Sequence, residues 1–186
     1  PNVTLVGVLA ADMSLHVADY HAAERTFQLL TQAVGRAGRG QLPGQAVIQT
    51  YDPEHFAIQT AKAQDYESFY QHEIAYRKMM HYPPIWNMLL VHCMGKNEQI
   101  TQQTAQLMAD KLQSAIKRSN RPVLLVGPAD ATIAKVNDIY RKVLYMKAAD
   151  YQTLVALKDA LEQFGKKTNA FSNVTIQFDF NPSSGF

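Results

Sequence analysis

Two consecutive prolines, Pro83 and Pro84, do most to limit how this chain can fold, because neither ring can continue a helix and each restricts the residue before it. They follow residues 65–80, where Tyr66, Phe69, Tyr70, Ile74 and Arg77 recur near one helical face. The helix must stop at the prolines and the chain must turn. A boundary at about residue 84 gives two regions, 1–84 and 85–186. With 186 residues, 47% apolar and 18% charged, the chain can fill one or two cores and lacks the balance of a disordered protein.

The first region reads as alternating strand and helix. Residues 3–9 form an apolar, β-branched run of strand length. Residues 21–34 carry Ala23, Phe27, Leu30 and Val34 at helical spacing, residues 46–50 read as a short strand, and residues 53–63 as a helix opened by an Asp52 cap with Pro53 in its first position. The second region is more regular. Strands are expected at 86–94, 123–126, 131–136, 140–147 and 174–180, with 123–136 being either one bent strand or two short ones. Helices are expected at 98–117, through Leu107, Met108, Leu112, Ala115 and Ile116, and at 150–164, through Leu154, Leu157, Leu161 and Phe164. Asn137-Asp138 supplies the turn between two of the strands. That order is a split βαβ plan.

Chemistry concentrates between residues 32 and 40: Gln32, then Gly35-Arg36-Ala37-Gly38-Arg39-Gly40. Guanidinium forks pair with phosphate oxygens through parallel charge-assisted hydrogen bonds, and the glycines remove side chains that would hold a ligand off the backbone. Read from these residues alone, the segment is either an anion site or a basic turn whose arginines sit in water.

The surroundings of this segment resemble a known family. Ala22-Ala23-Glu24-Arg25-Thr26-Phe27-Gln28-Leu29-Leu30-Thr31-Gln32 running into the arginine turn is similar to the end of the second helicase lobe of the primosomal protein N′ (PriA) replication-restart helicases of superfamily 2. The Gln-x-x-Gly-Arg-x-Gly-Arg core is shared across superfamily 2. The narrower resemblance is carried by residues 18–25, by Gln49-Thr50-Tyr51-Asp52-Pro53-Glu54-His55, by Arg77 with Tyr82-Pro83-Pro84, and by Asp179-Phe180-Asn181-Pro182.

The resemblance implies an α/β chain: the remnant of a RecA-like lobe over 1–84, then an α+β sandwich of split βαβ type over 85–186. It implies the C-terminal portion of a 3′-to-5′ ATP-dependent DNA helicase of primosome assembly and fork restart. In such a protein Arg36 and Arg39 stabilise charge on the γ-phosphate, Gln32 with Gly35 and Gly38 lines the nucleotide, and Arg25 orders the helix before the turn. Expected cofactors are ATP and Mg2+, with zinc elsewhere in the parent. Expected partners are forked or D-loop DNA, single-stranded-DNA-binding protein and other primosome proteins, with a cytoplasmic location. Lys135, Arg141 and Lys142 flank the expected turn, in a region that the resemblance connects with DNA and with the acidic tail of the single-stranded-DNA-binding protein.

Several chemistries are missing from the sequence. No phosphate loop or acidic magnesium box occurs, so this chain alone is not a complete ATPase. Cys93 is the single cysteine and cannot build a tetrahedral zinc site, and the six histidines show no paired metal spacing. No apolar stretch reaches the length of a membrane span. A net charge of +2 excludes a uniformly basic binder, although Lys117-Arg118 with Arg121, Arg141-Lys142 and Lys166-Lys167 are local clusters that serve either as patches or as solvated surface. For Arg141 and Lys142 the bland reading is an exposed strand edge kept from pairing by charge. Trp86 and Tyr140 are base-stacking candidates, with packing the better account of Trp86. Asp12 and Asp19 follow the first strand, where open α/β sheets put ligands, but helix capping or turn formation explains both more simply.

Overall fold

The computed structural model describes residues 3–17, 19–37 and 44–183. The chain divides into two units, Pro1–Arg77 and Lys78–Phe186. The whole is mixed α/β.

In the first unit, β1 (Leu5–Val8) and β2 (Gln45–Ile48) pair in parallel, with Val8 opposite Ile48. The inward residues of this ribbon, Val8 and Ile48, meet a small core of Phe27 and Leu30 from α1 (Ala22–Val34), Ala57, Ile58 and Ala61 from α2 (Phe56–Ala63), and Phe69 from α3 (Tyr66–Met80). The stacked rings of Phe27 and Phe69, 4.1 Å between centroids, sit at its centre. A short 3-10 turn, Ala11–Ser14, follows β1. α2 does not start where an Asp52 cap would put it. Its cap is His55, whose Nδ1 accepts the Ala57 N–H at 3.2 Å. Asp52 lies instead in the turn after β2, where its N–H donates to Asp12 and to Thr50 Oγ1.

The second unit holds β3 (Asn87–Gly95), α4 (Glu98–Ser119), β4 (Val123–Val136), β5 (Ile139–Ala148), α5 (Tyr151–Thr168) and β6 (Thr175–Phe180). The sheet order is β4-β5-β3-β6, every neighbour antiparallel. One face is covered by α4 and α5: Leu89, Val91, Cys93, Leu144 and Met146 meet Met108, Leu112, Leu154, Leu157 and Leu161. Both helices begin at side-chain caps. Asn97 accepts from Ile100 N–H at 3.0 Å, and Asp150 accepts from Gln152 and Thr153 N–H at 3.1 and 3.2 Å. Both end on an asparagine in the left-handed region, Asn120 and Asn169, where that residue type is tolerated.

β4 is one bent strand. Register shifts lie between Val126 and Ala129 and between Asp130 and Lys135, and Gly127 at φ +101° supplies a conformation that a side chain would strain. Asn137 and Asp138, at φ 47° and 59°, make the hairpin turn that two successive left-handed residues require.

Candidate functional site

α1 carries Gln32 and leads into the turn that holds Gly35 and Arg36, and it is gripped at one end. Ahead of it, the Asp19 carboxylate accepts the His21 N–H at 2.9 Å and pairs with Arg25 Nη1 at 2.7 Å; the Asp19 side chain is 4% exposed. Arg25 thus ties the first turn of the helix to the loop that leads into it. One residue earlier in the helix, Glu24 accepts from Arg77 Nη2 at 2.6 Å. Thr26 Oγ1, inside the helix, bonds to Ser14 Oγ at 2.8 Å.

The far end of α1 is buried at Leu30 and half-buried at Thr31, Ala33 and Val34, and it opens to solvent only at some positions. Gln32 and Arg36 are exposed, and among the described residues no carboxylate pairs with Arg36. That separates Arg36 from Arg25 and Arg77, whose charges are both matched internally. Gly35 caps the helix in the right-handed region, so glycine is not needed there for its freedom; an added Cβ would stand 3.2 Å from the Thr31 carbonyl oxygen. Gly38 and Arg39 lie outside the described residues.

Asp12 is a staple. Its carboxylate accepts from Thr50 Oγ1, from Tyr51 N–H at 2.8 Å and from Asp52 N–H at 3.3 Å, joining the segments that follow β1 and β2. Those donors, Thr50 foremost, hold its pKa below the usual carboxylate value. All its partners are internal, which agrees with the turn-forming account of Asp12.

In the second unit the three cations near the hairpin do not form one patch. β5 is paired by β4 on one side and β3 on the other, so Arg141 and Lys142 are not on a strand edge and the edge-protection reading fails. Successive strand residues point to opposite faces, which separates the two. Lys142 pairs across the ladder with Asp130 at 2.6 Å. Lys135 pairs with Asp138 at 2.9 Å and lies 4.9 Å from the Tyr140 ring centroid. Asp138 and then Tyr140 raise the Lys135 pKa. Tyr140 therefore already has a cation above it. Trp86 is partly buried, with His81 edge-on at 4.2 Å.

A further feature was only half visible in the sequence. The end of α4 and the start of α5 enclose an open groove of about 610 Å³, with an apolar floor including Ala115, Ala156 and Leu157 and with Arg118 and Arg121 at its rim. Arg121 is bonded to Asp150 and to Thr153 Oγ1, each at 2.7 Å. The basic cluster was legible; the apolar floor needed two helices brought together.

Cys93 is buried, and burial pushes its thiol up to about 11, so it is inert at neutral pH. Among the described residues no group of three or more His, Cys, Asp or Glu is placed to hold a metal ion, and no helix is long and apolar enough to cross a membrane.

The chain is 42% identical over 183 residues to the replication restart protein PriA of Bacillus subtilis, covering 98% of this chain and 22% of that protein. It is 38% identical to the protein of the same name from Synechocystis, covering 98% and 21%, and 35% identical to that of Chlamydia muridarum, covering 100% and 24%. The chain thus spans about a fifth to a quarter of the length of these relatives. Residues 78–183 match the family described as the primosomal protein N C-terminal domain, and the chain belongs to that family.

Proposed function

We propose that this chain is the C-terminal portion of a 3′-to-5′ ATP-dependent DNA helicase that restarts stalled replication forks. The first unit is then the remnant of a RecA-like lobe and the second a split βαβ domain. The observation that carries the reading is the state of Arg36: an exposed guanidinium in the turn after α1, in the Gln-x-x-Gly-Arg-x-Gly-Arg sequence, with no carboxylate partner among the described residues, whereas Arg25 and Arg77 of the same unit are both paired.

In this reading Arg36 and Arg39 meet the γ-phosphate of ATP held with Mg2+ by a lobe outside this chain. Gln32 positions the nucleotide or the attacking water, while Gly35 and Gly38 let it approach. The chain by itself turns over no ATP, since it carries no phosphate loop. Zinc belongs to the rest of the parent.

The second unit serves recognition. DNA of forked or D-loop form meets the hairpin around Lys135, Arg141 and Lys142. The acidic tail of single-stranded-DNA-binding protein suits the groove at Arg118 and Arg121, whose floor accepts apolar side chains and whose rim attracts carboxylates.

The test is Arg36→Ala and Arg39→Ala in the full-length protein. An arginine acting on a transferred phosphoryl group is worth on the order of 10³ or more in rate. Each variant is expected to slow ATP hydrolysis by about that factor, leaving a measurable residual rate, and to lose unwinding while keeping its affinity for forked DNA. Undiminished turnover in both would overturn the assignment.

A further inference from the structure

Arg77 collects partners from two helices. Its Nε donates to Glu73 Oε1 at 2.7 Å within α3, and its Nη2 donates to Glu24 Oε2 at 2.6 Å on α1. The Tyr20 ring centroid lies 5.4 Å from the guanidinium carbon. Arg77 and Glu73 are buried, 8% and 6% exposed. The Glu73 pair is internal to α3, one turn apart, and needs no other helix. The Glu24 bond is the one that reaches α1.

Apolar contact alone cannot do what this bond does. Phe27 and Leu30 hold α1 against its neighbours, but burial is non-directional and leaves small rotations and axial slips cheap. A planar guanidinium is different, because its two edges fix the positions of both carboxylates at once. The ionic grips on α1 all fall at its start, at Glu24 and Arg25, whereas Gln32 lies at its far end and Arg36 just beyond it.

We propose that Arg77, acting through Glu24, is a positioning residue for Arg36: the buried fork on α3 sets the rotation and height of α1 and so where the exposed arginine meets a nucleotide. This rests on the reading of α1 as the carrier of a phosphate-facing arginine.

The test uses the full-length protein and Glu24→Gln. The Glu24 side chain is 35% exposed, so its charge can be removed while the Glu73–Arg77 pair stays whole and the unit stays folded. A fall of about tenfold in kcat for DNA-stimulated ATP hydrolysis is expected, with KM for ATP little changed and the melting temperature kept. Arg77→Lys, which keeps the charge and loses the fork, should slow kcat similarly. The decisive arm is Glu24→Gln combined with Arg36→Ala. Glu24 and the end of α1 are about 15 Å apart along the helix, and Arg36 lies two residues beyond that end, a separation at which effects ordinarily add. Here the double variant should be no slower than Arg36→Ala alone. Wild-type kcat in Glu24→Gln, or additive slowing in the double variant, would overturn the proposal. Full turnover in Arg36→Ala by itself would instead sink the phosphate-facing reading on which it stands.

Discussion

The two units solve the same problem with different materials. In the second, the buried polar residues of the described chain are threonines alone, Thr101, Thr104 and Thr153, and a four-stranded sheet meets two capped helices over an apolar layer. In the first, Asp12, Glu73 and Arg77 are buried, the sheet has two strands, and Leu5, Leu9 and Val47 stand 62%, 79% and 51% exposed. Parallel ribbons are ordinarily covered on both faces, and two strands alone are marginal. Where the apolar layer is thin, directional ionic bonds fix the geometry; where it is thick, they are dispensable. On the proposed reading, in which Arg36 meets a phosphate, the first unit has reason to be built with directional bonds.

The strongest way to break this contrast is to remove one side chain of each kind. Arg77→Met leaves Glu73 buried without its counter-ion beside Glu24, a loss of about 3–5 kcal/mol for a broken buried pair. Leu154→Ala, at a fully buried site on α5, removes about 2–5 kcal/mol through lost burial and the cavity left behind. Trp86 is the only tryptophan, so its fluorescence during urea unfolding reports the second unit. The midpoint of that signal should fall for Leu154→Ala. For Arg77→Met the loss should appear as faster amide exchange in α1. Slower or unchanged exchange there would mean that the ion triad does not hold the helix.

How far the sequence foretold this contrast varies with the range of the interactions. α4 and α5 were legible because their apolar residues repeat at helical spacing. The bend of β4 stayed open, since register shifts arise from a partner strand. The sheet order was equally out of reach, so Arg141 and Lys142 read as edge residues although β5 is interior. In the first unit the misses are all long-range. Asp12 bonds to residues 38–40 positions away, and α2 starts at Phe56 behind a His55 cap. Glu73 and Arg77 stand four apart, the spacing of a helix ion pair, but a surface pair and a buried one look alike until Glu24 is brought in from 53 residues away.

Acid should separate the units by pH. On the sheet face away from α4 and α5, His92 has a buried Nδ1 with no hydrogen-bond partner among the described residues, and it faces Arg141 on β5 and Asp179 on β6. Burial first, and Arg141 second, push its pKa below the ordinary value, with Asp179 opposing. The unfolded chain therefore takes up this proton more readily than the folded one, so the second unit loses stability as pH falls through about 6.5. Asp12 works lower. Its carboxylate is held below its ordinary value, so its contribution is complete above about pH 4 and fades as pH falls through the depressed value. The Trp86 urea midpoint should drop between pH 7 and 5.5 in the wild type and stay flatter in His92→Leu. Exchange in the turn after β2 should rise only at the lower pH, and Asp12→Asn should abolish that step. A wild-type Trp86 midpoint that is level down to pH 5 would remove His92 from the account.

The smallest effect tests whether the second unit has any need of its ion pairs. Arg121 and Asp150 form an exposed pair at 2.7 Å, 58% and 52% open to solvent, where screening leaves little net gain. Asp150 also caps α5, accepting two backbone N–H groups and the Thr153 hydroxyl. Its pKa is lowered first by that hydroxyl, with Arg121 a lesser cause. The cap should therefore outweigh the salt bridge. Asp150→Ala should lower the Trp86 midpoint measurably, and Asp150→Asn, which keeps the capping oxygen without the charge, should restore most of it. Arg121→Ala should leave the midpoint where it was, at low and high salt alike. If Arg121→Ala proves as damaging as Asp150→Ala, the second unit depends on directional charge after all, and the distinction drawn between the two halves of the chain collapses.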